Sequence, residues 1–376
     1  MKGGSGSHSD RHTHRQGTET TGTDVIRLFT PTLSARQTGF NLSRLTASGN
    51  IRNAALERDI VRLRERFRVY SACYPFGLWD GGLAVTGKMR SLTELYLPMA
   101  EIARAIKRLL SLSLRYRSEA GLTLLSACAS WLDFLRGIRE ASPVANPARL
   151  LELLAADEGC RIRFLFTFLL PRHHGGSFRR YSAQIRFLDT WIHQRRDILH
   201  REVRCLDAAC GTGESTYELA FLLRARGISE KQRTIHGCSL EPLELFAAAH
   251  GFFPHDAARE KSFRMNIETL LADEETGGIA FFQDLVCRPP RPEEPPYDII
   301  LCNGLLGGPF IHDEKKMEAA VASLASRLKP GGILLAADRF HGGWKKEAPP
   351  DRLRESLRRR GFRLHAIEDG IAAEKE

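Results

Sequence analysis

The chain has 376 residues, 43% of them hydrophobic and 27% charged, with a net charge of +10. This is the composition of a soluble globular protein with room for two domains, and no apolar run reaches the ~18–20 residues of a membrane span. The positive charge suits an acidic partner surface. The competing explanation is arginines solvating helix faces, and the lack of a basic motif interleaved with aromatics argues against nucleic acid.

Residues 1–25 are Gly, Ser, Thr, His and Arg with almost no apolar side chains, which predicts a disordered tail containing His8, His12 and His14. The start of the chain lacks the apolar core of a signal peptide. The eight cysteines are scattered, with no C-x-x-C pair. Together these features predict a cytoplasmic protein with free or buried thiols and no metal site.

Residues 26–160 read as a helical accessory domain. In "IRNAALERDIVRLRERFRVY", Ile51, Ala55, Ile60, Leu63 and Phe67 fall near one face, opposite arginines. Two or three further helices follow, interrupted by Pro98 and Gly121. "NPARLLELLAADEG" opens with Asn146 as a predicted N-cap and Pro147 at the first helical position. Residues 161–200 form a bridge that ends in an amphipathic helix carrying Ile185, Leu188 and Ile192.

Over residues 201–376 short apolar runs alternate with helical segments. The runs are Val203–Ala208, Thr234–Ser239, Gly278–Gln283, Tyr297–Cys302 and Gly332–Ala337; helices are expected at Thr216–Arg226, Pro242–Ala249 and Lys315–Leu328. This predicts a doubly wound, mostly parallel α/β sheet. At the C-terminus, Asp369–Gly370 marks a hairpin between two short strands.

"CLDAACGTGESTYELA" places Gly211, Thr212 and Gly213 in the loop after the first strand of that sheet, where ligands of such folds bind. A dinucleotide fingerprint requires Gly or Ala where Thr216 stands, and a nucleoside triphosphate loop requires a lysine that is missing. Asp207 and Glu214 would repel a pyrophosphate. A sulfonium cofactor such as S-adenosylmethionine reverses that sign: its amino group suits carboxylates, and its own carboxylate suits the helix N-terminus.

"CLDAACGTGE" resembles the first motif of class I S-adenosylmethionine-dependent methyltransferases, and the resemblance continues in order to residue 338. "TIHGCSLEPLELFAAAHG", "FFQDLV", "YDIILCNGLL" and "LASRLKPGGILLAAD" are similar to the next four motifs. Within that superfamily the chain is most like the chemotaxis receptor methyltransferases, which methylate protein glutamates and carry a helical N-terminal domain. "CGTGESTYELA" is similar to their first motif, and "SFRRY" (Ser177–Tyr181) to a stretch that helps hold the cofactor. The resemblance implies a seven-stranded Rossmann-like sheet. It implies S-adenosylmethionine held by Asp207, Cys210, Gly211, Thr212, Gly213, Glu214, Ser239, Glu241, Asp284 and Asn303.

The chain also departs from the family. The ribose acid expected at the end of the second strand is Ser239, which leaves Glu241 for that role, and Asp284 replaces a frequent Asn at the adenine. "CNGLLGGPF" lacks the family's Arg and Tyr, although Asn303 preserves an Asn. The segment Phe252–Gly277 reads as largely helical where receptor-docking members insert a β subdomain. The acceptor-side candidates are Arg179, Arg180 and Asn303, with His312 and His341 the nearest histidines for an acceptor that needs a base. For Cys210 and Cys302 the sequence shows no paired base that would lower the thiol pKa and make a nucleophile. The expected activity is O-methylation of a carboxylate on a protein. A small-molecule methyltransferase and an inactive cofactor-binding scaffold are the alternatives.

Overall fold

The computed structural model describes residues 28–73, 86–118, 124–138, 144–170, 177–272, 278–284, 286, 288–290, 293–307, 311–337 and 350–376. The expected N-terminal tail and His341 lie outside these residues.

Local chemistry sets the helix boundaries in the first half. Helices α1 (Ala35–Leu45), α2 (Ala54–Cys73), α3 (Gly87–Tyr96), α4 (Met99–Ser113), α5 (Trp131–Ile138), α6 (Pro147–Ala156) and α7 (Glu158–Leu169) follow the short strand β1 (Leu28–Phe29). Asn146 caps α6 as expected, with Oδ1 accepting from the Ala148 and Arg149 N–H groups. Of the expected apolar face, Ile60 and Leu63 are buried on α2, together with Leu56 and Tyr70, whereas Ile51 precedes the helix and Ala55 and Phe67 are only half-buried. Arg161, 1% exposed, has carbonyl partners rather than an acid. Its guanidinium donates to Leu154 O and Ala155 O at the end of α6 and to Ala47 O and Gly49 O between α1 and α2. It therefore gives donors to carbonyls at the end of α6 and in the α1–α2 connection, where Ala155 O also accepts from Ile51 N.

Helix α8 (Ser182–Gln194) leads into the second half: β2 (Val203–Asp207), α9 (Glu214–Ala225), β3 (Arg233–Ser239), α10 (Pro242–His250), α11 (Ala257–Leu271), β4 (Ile279–Gln283), β5 (Tyr297–Leu301), α12 (Glu314–Arg327), β6 (Leu328–Ala337), α13 (Pro350–Arg359), β7 (Phe362–Ile367) and β8 (Gly370–Lys375). One sheet has the order β1-β4-β3-β2-β5-β6-β8-β7. Strands β2 to β6 pair in parallel, whereas β1, β7 and β8 join antiparallel. The sheet has eight strands, one more than the seven expected. The extra strand, β1, is two residues long and too short to show a period. The hairpin at Asp369–Gly370 forms as expected, with Ile367 opposite Gly370.

Strand order reverses between β2 and β5, which opens a crevice at the carboxyl ends of those strands. Alternation divides the sheet's side chains between two cores. Cys205, Ile235, Phe281, Ile299 and Leu335 join a cluster that runs on into the helices of the first half. Leu206, Cys238, Ile300 and Leu334 face α12 and α13. Phe166 of α7 meets Phe246 of α10 edge-on at 6.0 Å, so the helical half packs directly against the elements behind the crevice.

The N-terminal segment is tied down by His250. Asn41 Nδ2 lies 3.0 Å from His250 Nε2, and His250 Nδ1 lies 3.2 Å from Thr32 O. A carbonyl can only accept, so Nδ1 carries the proton and Nε2 accepts from the Asn41 amide; the ring is neutral. Burial lowers the His250 pKa, the bond to Thr32 opposes this, and Arg264 adds to it. A depressed histidine pKa gives stability that is present above the unfolded value of ~6.5 and lost as pH falls. Wild type is therefore expected to lose more thermal stability than His250→Gln between pH 7 and pH 5.5, as read by calorimetry.

Candidate active site

The loop after β2 is held by main-chain bonds on both sides. Ala208 N donates to Leu301 O at 2.7 Å and Cys210 N to Cys238 O at 3.0 Å, so the loop bridges β5 and β3. Gly213 N then closes on Cys210 O at 2.8 Å, and Gly213 caps α9 at φ +88°. An added Cβ there would lie 2.8 Å from Ala248 Cβ and 3.1 Å from the Phe281 ring. At Gly211, φ +52°, a Cβ would meet nothing within 4 Å. The two glycines thus answer different needs: Gly213 admits the protein's own α10 and β4, whereas Gly211 faces open space.

Asp207, fully buried at the end of β2, has one occupied and one idle oxygen. Its Oδ2 accepts from Ser215 Oγ and Thr216 Oγ1, each at 2.8 Å. The Ala209 N–H lies near enough to favour the charged form, but Oδ1 makes no hydrogen bond of its own. Burial pushes the carboxyl pKa up to about 6, against the pull of Ser215, Thr216 and Ala209, and Glu214 adds to the rise. A buried carboxylate oxygen without a donor is a site for a cationic donor.

More acids stand around it. Glu244 donates nothing and accepts from Ser239 Oγ at 2.5 Å. Burial, followed by the charges of Glu241 and Glu214, pushes its pKa up to about 7, while Ser239 and Arg259 pull it down. Glu214 is 3% exposed and is paired. Arg259 of α11 donates to Glu214 Oε1 at 2.9 Å and to Thr212 Oγ1 at 2.6 Å, and Thr212 donates to Glu214 Oε2 at 2.7 Å. Asp207, Glu214, Glu241 and Glu244 gather at this end of the crevice, with Arg259 paired to Glu214, although the chain as a whole is basic. Such a pocket suits a cation and opposes a phosphate.

The other sequence-derived candidates have partners within the protein. Glu241 caps α10 and accepts from the Tyr116 and Ser118 hydroxyls of the helical half. Asp284 Oδ2 pairs at 2.9 Å with buried Arg327, on the α12 side of the sheet. Asn303, just after β5, shares a reciprocal amide pair with Gln184 of α8, both bonds 2.9 Å, and its Oδ1 also accepts from Ala337 N. Burial and neighbouring acids hold the Cys210 thiol well above its usual pKa, so it is an inert packing group. His312 is exposed ahead of α12.

Arg179 and Arg180 lie in the turn that starts α8, and three contacts pin this turn across the mouth of the crevice. Arg179 N donates to Glu218 of α9, Ala183 N donates to Asp369 Oδ2 in the β7–β8 turn at 2.7 Å, and Gln184 holds Asn303. Among the described residues Arg179 is the one non-glycine at positive φ, +64°, a strained state that surrounding contacts must enforce. Arg180 stacks over the Tyr181 ring at 5.5 Å. Burial raises the Tyr181 pKa, Arg180 lowers it, and the charges of Asp207 and Asp369 add to the rise. The sequence placed Tyr181 in the SFRRY stretch and Asp369 in a hairpin without giving either a role at the site, and it gave no signal for Gln184, because only the fold brings these residues together.

Residues 175–339 match the family described as CheR methyltransferase, SAM binding domain. No curated protein matches the chain. Similar solved structures include the sugar N-methyltransferase KedS8 from a Streptoalloteichus species (TM-score 0.35, 15% identity, covering 53% of this chain and 89% of that one). Another is the amino pentose methyltransferase CalS10 from Micromonospora echinaspora, solved with S-adenosylmethionine (TM-score 0.27, 20% identity, 46% and 61%). A third is the putative methyltransferase SMU.1697c from Streptococcus mutans, solved with S-adenosylhomocysteine (TM-score 0.31, 16% identity, 49% and 97%). This chain therefore spans about three fifths of the length of CalS10. Among the described residues no helix is long and apolar enough to cross a membrane.

Proposed function

We propose, for a chain that is a class I S-adenosylmethionine-dependent methyltransferase related to CheR, that it O-methylates a carboxylate, with a protein side chain as acceptor. The observation that carries this reading is the turn at Arg179–Tyr181, tied to α9 and to the β7–β8 turn, in which the Arg180 guanidinium stacks on the Tyr181 phenol.

The cofactor supplies an electrophilic methyl on its sulfonium. Asp207 Oδ1 is the acceptor for the ammonium of its methionyl end, and the N-terminus of α9 favours the methionyl carboxylate. The open space beside Gly211 leaves room for the chain of the cofactor. Glu241, with Ser239 and Glu244 beside it, serves the ribose, and Asp284 serves the adenine. Arg180 orients the acceptor carboxylate through a charge-assisted bond, and Tyr181 donates to its second oxygen. A carboxylate with a pKa of ~4.3 is already anionic at pH 7, so its oxygen would take the sulfonium methyl, with the S–C bond breaking and S-adenosylhomocysteine leaving, without losing a proton to a base. Catalysis then rests on holding acceptor and methyl in line.

Labelled S-adenosylmethionine with host extract tests the reading. Base-labile label on a protein band is the expected outcome; base-stable label throughout would sink the carboxylate. A second reading, a small carboxylate acceptor, draws on the helical half's contact with Glu241 and on the β5 loop. That loop turns at Gly304 and Gly307, both at positive φ, and closes through a Leu306–Ile311 bridge. Base-labile label confined to small molecules would select it.

A further inference from the structure

Segment Leu114–Ser118 leaves α4 through an extended Leu114 and is fixed at its start. Ala47 N donates to Ser113 O at 2.8 Å, Arg115 N donates to Leu45 O at 2.9 Å, and Thr46 bridges Leu114. From this anchor two hydroxyls reach one carboxylate. Tyr116 donates to Glu241 Oε1, and Ser118 donates to Oε2 at 2.6 Å. The Leu243 N–H also donates to Oε1, at 3.3 Å, as the cap of α10. Glu241 is 3% exposed as a result.

Each carboxylate oxygen offers two lone-pair directions. Tyr116 and Leu243 occupy both directions on Oε1. A ribose diol binds a carboxylate through one hydroxyl on each oxygen, which is the pairing that Tyr116 and Ser118 already make. The cap bond from Leu243 belongs to α10 and can stay. The Tyr116 bond cannot stay if a ribose hydroxyl takes Oε1.

We propose that Tyr116 and Ser118 form a latch that closes the ribose acid in place of the cofactor's diol, so that loading the cofactor releases segment Leu114–Ser118 from Glu241. The latch rests on the assignment of Glu241 to the ribose. It gives the helical half a direct part in the cofactor equilibrium: whatever displaces this segment raises affinity, and the bound cofactor in turn frees the segment for an acceptor or partner. A closed state that must open reduces apparent affinity by the fraction of molecules that are open.

Calorimetric titration with S-adenosylhomocysteine compares the full chain with Tyr116→Phe, Ser118→Ala and the double variant, each checked for an intact melting transition. Hydrogen exchange at residues 114–118 before and after loading is the second readout. The double variant is expected to bind about 10-fold tighter, Tyr116→Phe alone about 3-fold tighter, and exchange in the wild-type segment to rise on loading. Unchanged or weaker binding by the variants, with exchange unchanged or slowed, would overturn the latch and make the hydroxyls fixed supports of Glu241. In that case wild-type binding would still uphold the cofactor site. Absence of binding by every form would defeat the function and the latch together. Binding by the double variant alone would establish the latch in its strongest form.

Discussion

Asp207→Asn is expected to weaken S-adenosylhomocysteine binding about 100-fold at pH 7 while raising the melting temperature of the free protein. The two effects have one cause. Oδ1 is a buried carboxylate oxygen with no donor, and burial lifts the group's pKa from 3.8 to about 6. An acid whose folded pKa is raised contributes stability that is full below its unfolded value and lost as pH rises through its folded value. At pH 7 the ionised side chain therefore costs the free fold about 3 kcal/mol, at ~1.4 kcal/mol per pH unit. Asparagine keeps an oxygen for Ser215 and Thr216 and removes the charge. A bound ammonium would use that charge, and a charge-assisted hydrogen bond in a buried site is worth about 2–3 kcal/mol. Wild-type affinity should also fall with pH below about 6, roughly tenfold per unit, whereas the variant's should stay flat across that range. Calorimetry from pH 5 to 8 reads both. A variant that binds as tightly as wild type would remove Asp207 from the cofactor site.

What could be read from the sequence was local. The parallel strands show as short apolar runs with glycine or proline between them, and Asn146–Pro147 and Asp369–Gly370 each mark their element because capping and turn chemistry act within a few residues. The glycine loop and Asp207 were legible for the same reason. The partners of the polar groups were not. Glu214 meets Arg259 across 45 residues, Asn303 meets Gln184 across 119, and Glu241 meets Tyr116 across 125. Such pairs depend on how helices cross the carboxyl edge of the sheet, and no periodicity records that. Glu214 shows what this costs. In the sequence it counts as a free acid for the cofactor, but in the fold Arg259 neutralises it, and the unpaired oxygen that remains belongs to Asp207. Strand β1 escaped notice because two residues cannot display an alternation.

Exchanging the two loop glycines for alanine separates folding from binding. At Gly213 the new methyl would sit 2.8 Å from Ala248 Cβ and 3.1 Å from Phe281, at a φ of +88° that side chains avoid. Left-handed strain of about 1 kcal/mol and an overpacking cost of about 1–3 kcal/mol predict a loss of about 2–4 kcal/mol in denaturant unfolding. The atoms that must move are the backbone-anchored face of α10 and the ring of β4, so relaxation cannot absorb much of it. At Gly211 only the backbone term applies, because a methyl at φ +52° meets nothing within 4 Å. Gly211→Ala should unfold within about 1 kcal/mol of wild type and still lose at least about tenfold in affinity for S-adenosylhomocysteine, since the methyl points into the space left for the ligand. The opposite ranking, with a stable Gly213→Ala or a Gly211→Ala that binds normally, would mean that the open space beside Gly211 is not where the ligand lies. The glycine pattern would then serve only the close approach of α10 and β4 to the loop.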